Sequence, residues 1–320
     1  MKYTLLLINF YLFANFYAGY PGSNFNFGTD ARNISMSNSL VSTYNKGFVA
    51  FNNPALLPKI SDNEYGFSHF LMSLDRSLQS VSIARPLPPS AGVSLSFFRI
   101  GTENIIQTNS GFGDQLSTLR YSQGYGMLSF GVDLGSLSGG FNFKTFFNNM
   151  DIYKSDSSIG FDLGFLYDFN EHMNLGIKIS NLSSSFNWDI NHLNQNQSVI
   201  YEEEIPVNHM IGFSYNLPNR FILSCQVDYL PVKNSPSLSE HIYNKYKVGF
   251  EYYYNSDLLV NPISLRGGVS YIDNNIDYAF GFGIPFKISE FMILNIDYAL
   301  DLGLVDQGLS HLFSFSLLNY

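Results

Sequence analysis

From residue 64 to the C-terminus the chain alternates apolar and polar residues with a period of two, in one run after another. Asn174–Ser180 reads NLGIKIS, with Leu175, Ile177 and Ile179 on one side and Asn174, Gly176, Lys178 and Ser180 on the other. Successive side chains of an extended chain point to opposite faces, so each such run is a strand with one apolar face. Gly160–Asp168 sets Phe161, Leu163, Phe165 and Tyr167 against Asp162, Gly164, Leu166 and Asp168. Leu265, Val269 and Tyr271 oppose Ser264, Arg266 and Ser270, and Met292, Leu294, Ile296 and Tyr298 oppose Asn295 and Asp297. Strands are expected near 65–74, 78–86, 92–101, 121–134, 138–148, 159–169, 173–182, 207–216, 220–230, 245–254, 263–272, 276–286, 291–301 and 310–319, fourteen in all. Most run to about 10 residues, the length of a tilted strand that crosses a bilayer.

The connections alternate in length. LPPS at 87–90, the SLSG after 135, NEH at 170–172, LPN at 217–219 and the ISE after 287 are short, whereas 102–120, 149–158, 183–206 and 231–244 are long or polar. Short turns on one side and long loops on the other are the pattern of an outer-membrane barrel, with the short side in the periplasm. The segment 255–262 and the short link Asp273–Asn275 depart from that pattern.

A secreted β-sandwich would alternate in the same way. Charge argues against it: charged residues make up 13% of the chain, against about 25% in soluble proteins. The polar faces are rich in Gly and Ser rather than Lys and Glu. Aromatic residues, 17% of the chain, gather near strand ends at Tyr252-Tyr253-Tyr254, Tyr167 and Tyr298, as in the girdles at lipid headgroups. The expected fold is therefore all-β, a 14-stranded antiparallel transmembrane β-barrel over 64–320 in the bacterial outer membrane, with outer-membrane lipid as its surroundings. The last strand, LFSFSLLNY, alternates through Phe313, Phe315 and Leu317, out of phase with the terminal Tyr320.

Residues 1–18 form a short apolar run after Lys2 with a small-residue cut at Ala18-Gly19, read as a signal peptide. Asn9 and Asn15 interrupt it as an anchor helix. Residues 19–63 precede the first strand and include KGFVAFNNPALLPKI at 46–60, too proline-rich for a long helix or strand. A fourteen-stranded lumen is too wide for wall side chains to fill. The expectation is that 19–63 enters it as a hatch, with Asn53 capping a short turn begun by Pro54 and packed through Ala55, Leu56 and Leu57.

The net charge of −9 argues against nucleic acid as a partner. A single cysteine, Cys225, excludes an internal disulfide framework and is expected to be inert or buried. The six histidines have no metal spacing, and HExxH, CxxC, P-loop and GxSxG motifs are missing, so neither enzyme activity, metal nor cofactor is expected. Glu202-Glu203-Glu204 reads as a solvated outer-loop run. By parity Lys144, Lys178, Lys247 and Arg266 face the lumen with Asp162, Asp228, Glu251 and Asp297. Lys144, Lys178 and Arg266 are candidates to contact a ligand headgroup. The alternative is that these charges neutralise one another inside the barrel.

The run GTDARNISMSNSLVSTYNKGFVAFNNPALL at 28–57 resembles the N-terminal hatch of the FadL-type hydrophobic-compound transporters, and most closely the PorV/PorQ-like branch, through Ala31-Arg32, Met36 and Asn53-Pro54-Ala55. SLSFFRIG (94–101), 160–182 and YKVGFEY (246–252) also fit. Ser37-Asn38 stands where the family has Gly-Gly, Leu56 stands where it has Gly, and the acidic pair before the Asn-Pro-Ala is missing. The resemblance implies a fourteen-stranded barrel with a lumenal hatch that handles hydrophobic ligands. It also implies a lateral exit at a kink in the third strand, 92–101, where Phe97-Phe98 breaks the alternation and Gly101 ends it. For the PorV-like branch it implies a carrier role with type IX secretion components. Transporter, secretion carrier and purely structural barrel stay open on the sequence alone.

Overall fold

The computed structural model describes residues 19–72, 74–108, 115–150, 153–189, 200–218, 220–233, 240–255, 262–272, 275–302 and 310–319. The expected signal peptide, residues 1–18, lies outside the described residues. The strands are β1 (Asn63–Met72), β2 (Arg76–Leu87), β3 (Ala91–Thr108), β4 (Gln115–Asp133), β5 (Leu137–Met150), β6 (Tyr153–Asp156), β7 (Ser158–Asp168), β8 (Met173–Leu182) and β9 (Ser185–Asp189). They continue as β10 (Ile200–Glu204), β11 (Asn208–Leu217), β12 (Phe221–Lys233), β13 (Glu240–Tyr254), β14 (Ile263–Ile272), β15 (Asn275–Ser289), β16 (Met292–Asp301) and β17 (Ser310–Asn319). β6 and β7 are one wall strand interrupted at Ser157, β8 and β9 one interrupted at Ser183-Ser184, and β10 and β11 one interrupted at Ile205–Val207, which leaves fourteen strands around the wall. All pair antiparallel, and β1 meets β17 from Asn63↔Asn319 to Leu71↔His311, closing the sheet.

The alternation assigns the faces as the sequence implies. In β7 the outward Phe161, Leu163, Phe165 and Tyr167 are exposed, while Gly160, Asp162, Gly164 and Leu166 are buried inside. Ile177 is outward between inward Gly176 and Lys178. A closed sheet satisfies its own backbone without water, and its apolar outward belt is uncharged, so the chain is an outer-membrane β-barrel.

Several boundaries differ from expectation. The stretch 102–120 is not a loop: β3 and β4 continue their hairpin, pairing Thr102↔Tyr121 through Thr108↔Gln115. β6 lies within 149–158, β9 and β10 within 183–206, and the ends of β12 and β13 within 231–244. Beyond the bilayer a strand needs no apolar face, so these extensions carry no alternation to betray them. Gly101 does not end the third strand, and Phe97-Phe98 does not break its alternation. Phe97 points out, Phe98 points in, and β3 stays in register with β2 from Ala91 to Thr102. The irregularity falls later, between Thr102 and Ile105, beside Asn104 at φ 56°. Tyr252 and Tyr254 face outward but Tyr253 turns inward, so the expected girdle of three is a pair. Cys225 is exposed on the outward face rather than buried.

Candidate functional site: the lumen and the N-terminal segment

Residues 19–62 lie against the inward faces of the wall as short turns: a 3₁₀ turn at Ser23–Asn26, α1 (Ala31–Ser35), α2 (Val49–Asn52) and a 3₁₀ helix at Pro54–Lys59. Local chemistry sets each one. The Asp30 carboxylate caps α1 by accepting from the Asn33 amide at 3.1 Å, and Asn53 caps the last turn by accepting from the Ala55 amide at 3.0 Å. Burial raises the pKa of Asp30 above the ordinary carboxylate range, against hydrogen bonds from Asn45, the Asn33 amide and Thr29 that lower it.

Irregular backbone at membrane depth needs hydrogen-bond partners from protein, and the inward faces supply them. Ser68 and Ser80 both donate to the Thr29 carbonyl at 2.6 Å, Lys178 Nζ to the Phe51 carbonyl at 2.6 Å and Ser214 to the Ser42 carbonyl at 3.0 Å. Ser314 Oγ accepts from the Ala31 amide at 3.1 Å, and Gln226 Oε1 from the Val41 amide at 3.0 Å. Asn53 Nδ2 reaches the Val41 carbonyl at 2.9 Å and the wall carbonyls of Phe165 and Ile177 at 3.2 and 3.4 Å.

Where the segment comes closest to the wall, the inward position is glycine. A Cβ added at Gly92 would lie 2.4 Å from the Leu57 carbonyl oxygen, one at Gly131 2.4 Å from the Pro54 oxygen, one at Gly140 2.5 Å from the Pro54 carbonyl carbon and one at Gly164 2.1 Å from Asn53 Oδ1. These four glycines, on β3, β4, β5 and β7, form a collar around Asn53–Leu57. Across the lumen Gly249 and Gly268 receive Met36 and Ser37 in the same way. Sequence reading expects Asn53, Pro54 and Ala55 inside the barrel mouth but gives no sign of the collar, because a glycine in a strand looks only like a weak strand former.

All eight inward charges expected from parity are inside, and they are paired. Asp162 holds Lys144 at 2.8 Å and Lys178 at 3.5 Å, and Asp228 holds Lys247 at 2.5 Å. Arg266 bridges Glu251 at 2.7 Å and Asp297 at 2.6 Å, and Arg32 of α1 adds itself to Glu251 at 2.6 Å. Glu251 and Arg266 are cross-strand partners, so a one-residue slip would drive both into lipid. The three expected ligand contacts, Lys144, Lys178 and Arg266, thus spend their charge on carboxylates, and Lys178 also holds the N-terminal segment. Of the two readings of these charges, the geometry is that of a neutralising network.

One feature escapes sequence reading. The Phe25 ring, from the first 3₁₀ turn, sits among Phe98, Tyr125, Phe146 and Phe186, with centroids 6.0, 5.3, 5.5 and 6.2 Å away. Lys144 Nζ stands 4.9 Å over the Tyr125 ring. Phe98 and Phe146 each belong to a Phe-Phe pair, in which alternation alone cannot say which ring turns inward. Beside this box lies a cavity of about 100 Å³ lined by Phe25, Phe51, Tyr125, Lys144 and Lys178. A second, of about 430 Å³, opens among Arg32, Lys46, Pro218, Tyr253, Arg266 and Pro285 at the short-turn end.

A closed fourteen-stranded wall has solved counterparts. The chain is similar in fold to the toluene transporter TodX of Pseudomonas putida. One structure of TodX superposes with a TM-score of 0.64 at 14% identity, over 91% of this chain and 98% of that one. Another gives 0.63 at 13%, over 92% and 99%. A TodX deltaS2S3 mutant, described as a monoaromatic hydrocarbon channel, gives 0.60 at 13%, over 92% and 99%. No protein-family model and no curated protein matches the sequence. TodX is a FadL-type barrel, so the FadL-like fold expected from 28–57 stands at the level of architecture.

Proposed function

We propose that the chain admits hydrophobic small molecules across the outer membrane, with residues 19–62 as a hatch that closes its lumen. The observation that carries this reading is the aromatic box of Phe98, Tyr125, Phe146 and Phe186, built inside the lumen of a TodX-like barrel and filled by the ring of Phe25. Four rings around a fifth form a site of the size and chemistry of one benzene ring, and aromatic pairs add to simple area burial. A monoaromatic compound such as toluene, the substrate in the TodX description, is the ligand class we assign to it. In this reading Asn53, Pro54 and Ala55 are the seat of the hatch, and Lys144 borders the ligand over the Tyr125 ring.

Lateral exit beside Phe97, Phe98 and Gly101 requires parting paired strands there. The register shift between Thr102 and Ile105, just past the membrane-spanning part of β3, is where such parting would begin, since the ladder is already broken there. Mass spectrometry of what the detergent-purified barrel retains tests the proposal. A monoaromatic or other apolar small molecule supports transport, and its retention should rise in Phe25→Ala, which vacates the centre of the box, and fall in Tyr125→Ala, which removes a wall ring. A PorV-like carrier of type IX secretion would instead bring cargo protein with it and show no such dependence.

A further inference from the structure

We infer that β6, β9 and β10 form a flap, hinged where they leave the wall and free along one edge, that admits ligand to the aromatic box from outside. The inference rests on the box being the ligand site. The hinge is a line of bulges. β5 pairs with β7 up to Phe146↔Ser158, then with β6 from Asn149↔Lys154, one residue out of step. β7 and β8 shift register between Phe161 and Leu163. β8 pairs with β11 up to Ser180↔Asn208, and β9 pairs with β10 from Ser185↔Glu204, again one residue out of step. Asn181 and Ser183, in that gap, take φ 64° and 53°. A bulge bends its strand, and bulges side by side on neighbouring strands make an axis. Beyond it the ribbon reaches into the lumen. Phe186 of β9 is 1% exposed and lies 6.2 Å from both Phe25 and Phe146. Trp188 packs against the same core and donates from Nε1 to Glu203 of β10 at 2.8 Å, which ties the ribbon together.

The free edge faces β12. β11 pairs with β12 only as far as His209↔Tyr229. Past that point, among the described residues, Leu230–Lys233 of β12 pair with β13 alone and β10 pairs with β9 alone. The wall is therefore unzipped between β10 and β12. Glu204 and Lys233 form an ion pair of 3.6 Å there, with both side chains about three-quarters exposed, and a pair so exposed holds little. The sequence suits an open edge: Pro231 on β12 is a residue that strands tolerate at an edge, and Glu202, Glu203 and Glu204 on β10 discourage pairing with another chain. The β12–β13 ladder keeps one register from Phe221↔Tyr252 to Lys233↔Glu240, so only the β10 side of the seam carries a hinge. Swinging β10 away from β12 lifts Phe186 off the box and breaks no pairing below the bulges. Short turns place the opposite end in the periplasm, so the flap faces outside.

The test uses the full chain purified in detergent. A carbodiimide joins the Glu204 carboxylate to the Lys233 amine as an amide, with water taken up by the reagent, and peptide mass spectrometry verifies the link. Lys233→Gln treated alike cannot be stapled there and controls for other links, such as Lys59 to Asp168. Trp188 is the only tryptophan of the chain, so acrylamide quenching of its emission reports opening without any ligand. Stapling is expected to lower that quenching by about twofold or more, and Lys233→Glu, which sets like charges across the seam, to raise it. Toluene loading, timed by rapid filtration and headspace chromatography, should slow by about fivefold or more on stapling while the amount finally retained is unchanged. Quenching indifferent both to the staple and to Lys233→Glu, or a fall of equal size in treated Lys233→Gln, overturns the flap whether or not toluene binds. Loading at an undiminished rate through a stapled seam overturns the entrance. A staple that lowers quenching in a barrel that never retains toluene supports the flap and removes the monoaromatic reading instead.

Discussion

Replacing Gly140 by alanine should unseat the N-terminal segment, whereas the same change at Gly139, one residue away, should not. The two glycines sit in the same strand, opposite Gly131 and Val132 of β4, and differ only in face. A methyl at Gly140 would meet the Pro54 carbonyl carbon at 2.5 Å, the Pro54 oxygen at 2.6 Å and the Ala55 nitrogen at 2.7 Å, and a methyl at Gly139 would meet nothing within 4 Å. Ordinary carbon contacts sit at about 3.5–4.0 Å, so the first methyl falls short by roughly 1 Å. The atoms it strikes are backbone, held by the Asn53 cap and by the opposing glycines, and cannot swing aside. Overpacking of this kind costs about 1–3 kcal/mol. Alanine also gains about 0.5–1 kcal/mol over glycine through backbone entropy. That gain is common to both variants, so their difference isolates the clash. Equilibrium urea unfolding of the refolded barrels, read by heat-modifiable gel mobility, should place Gly140→Ala about 1–3 kcal/mol below Gly139→Ala. If the strain is relieved by expulsion of the segment instead, the wall stays folded and uptake of a normally excluded dye rises. Equal stability and equal tightness of the two variants would refute the collar.

Ile177→Arg should cost about 2–4 kcal/mol near the bilayer midplane, and Lys178→Gln less, because Lys144 still neutralises Asp162; the same unfolding assay ranks them, and equal costs would mean the faces are exchanged. Arg32→Ala leaves Glu251 buried with Arg266 as its remaining cation and should destabilise by up to about 3–5 kcal/mol; a loss below about 1 kcal/mol by urea unfolding would show that this pair does not hold the segment. Phe25→Ala empties the centre of the aromatic box, so the purified barrel should retain more toluene by headspace chromatography than wild type, and less after Tyr125→Ala.

The wall was legible because lipid demands it. A strand that crosses a bilayer must keep one face apolar, so Phe161, Leu163, Phe165 and Ile177 declared their direction, and with it the inward direction of Asp162, Lys178, Glu251 and Arg266. Where that demand lapses the reading fails: the β3–β4 hairpin beyond Thr102 and the segments β6, β9 and β10 look like loops because no bilayer selects their faces. The capping role of Asn53 and the turn begun by Pro54 are local chemistry and could be named in advance. The collar of Gly92, Gly131, Gly140 and Gly164 could not, since it requires knowing which strands lie side by side and at what height. The same holds for the aromatic box, whose wall rings come from β3, β4, β5 and β9 while the central ring comes from residue 25. Pairing of the inward charges likewise follows from register, as in Glu251 opposite Arg266, rather than from residue type.

The central claim is that residues 19–62 close a wall that stands without them. Deleting 28–59 removes α1, α2, the second 3₁₀ helix and the partners of the glycine collar but none of the strand ladder, whose hydrogen bonds are made within the wall. Single-channel conductance of the refolded deletion barrel in planar bilayers is the direct measurement. Stable, stepwise conductance well above the wild-type level is the predicted result. A deletion barrel that is folded by heat-modifiability yet remains as tight as wild type would show that another part of the chain seals the lumen.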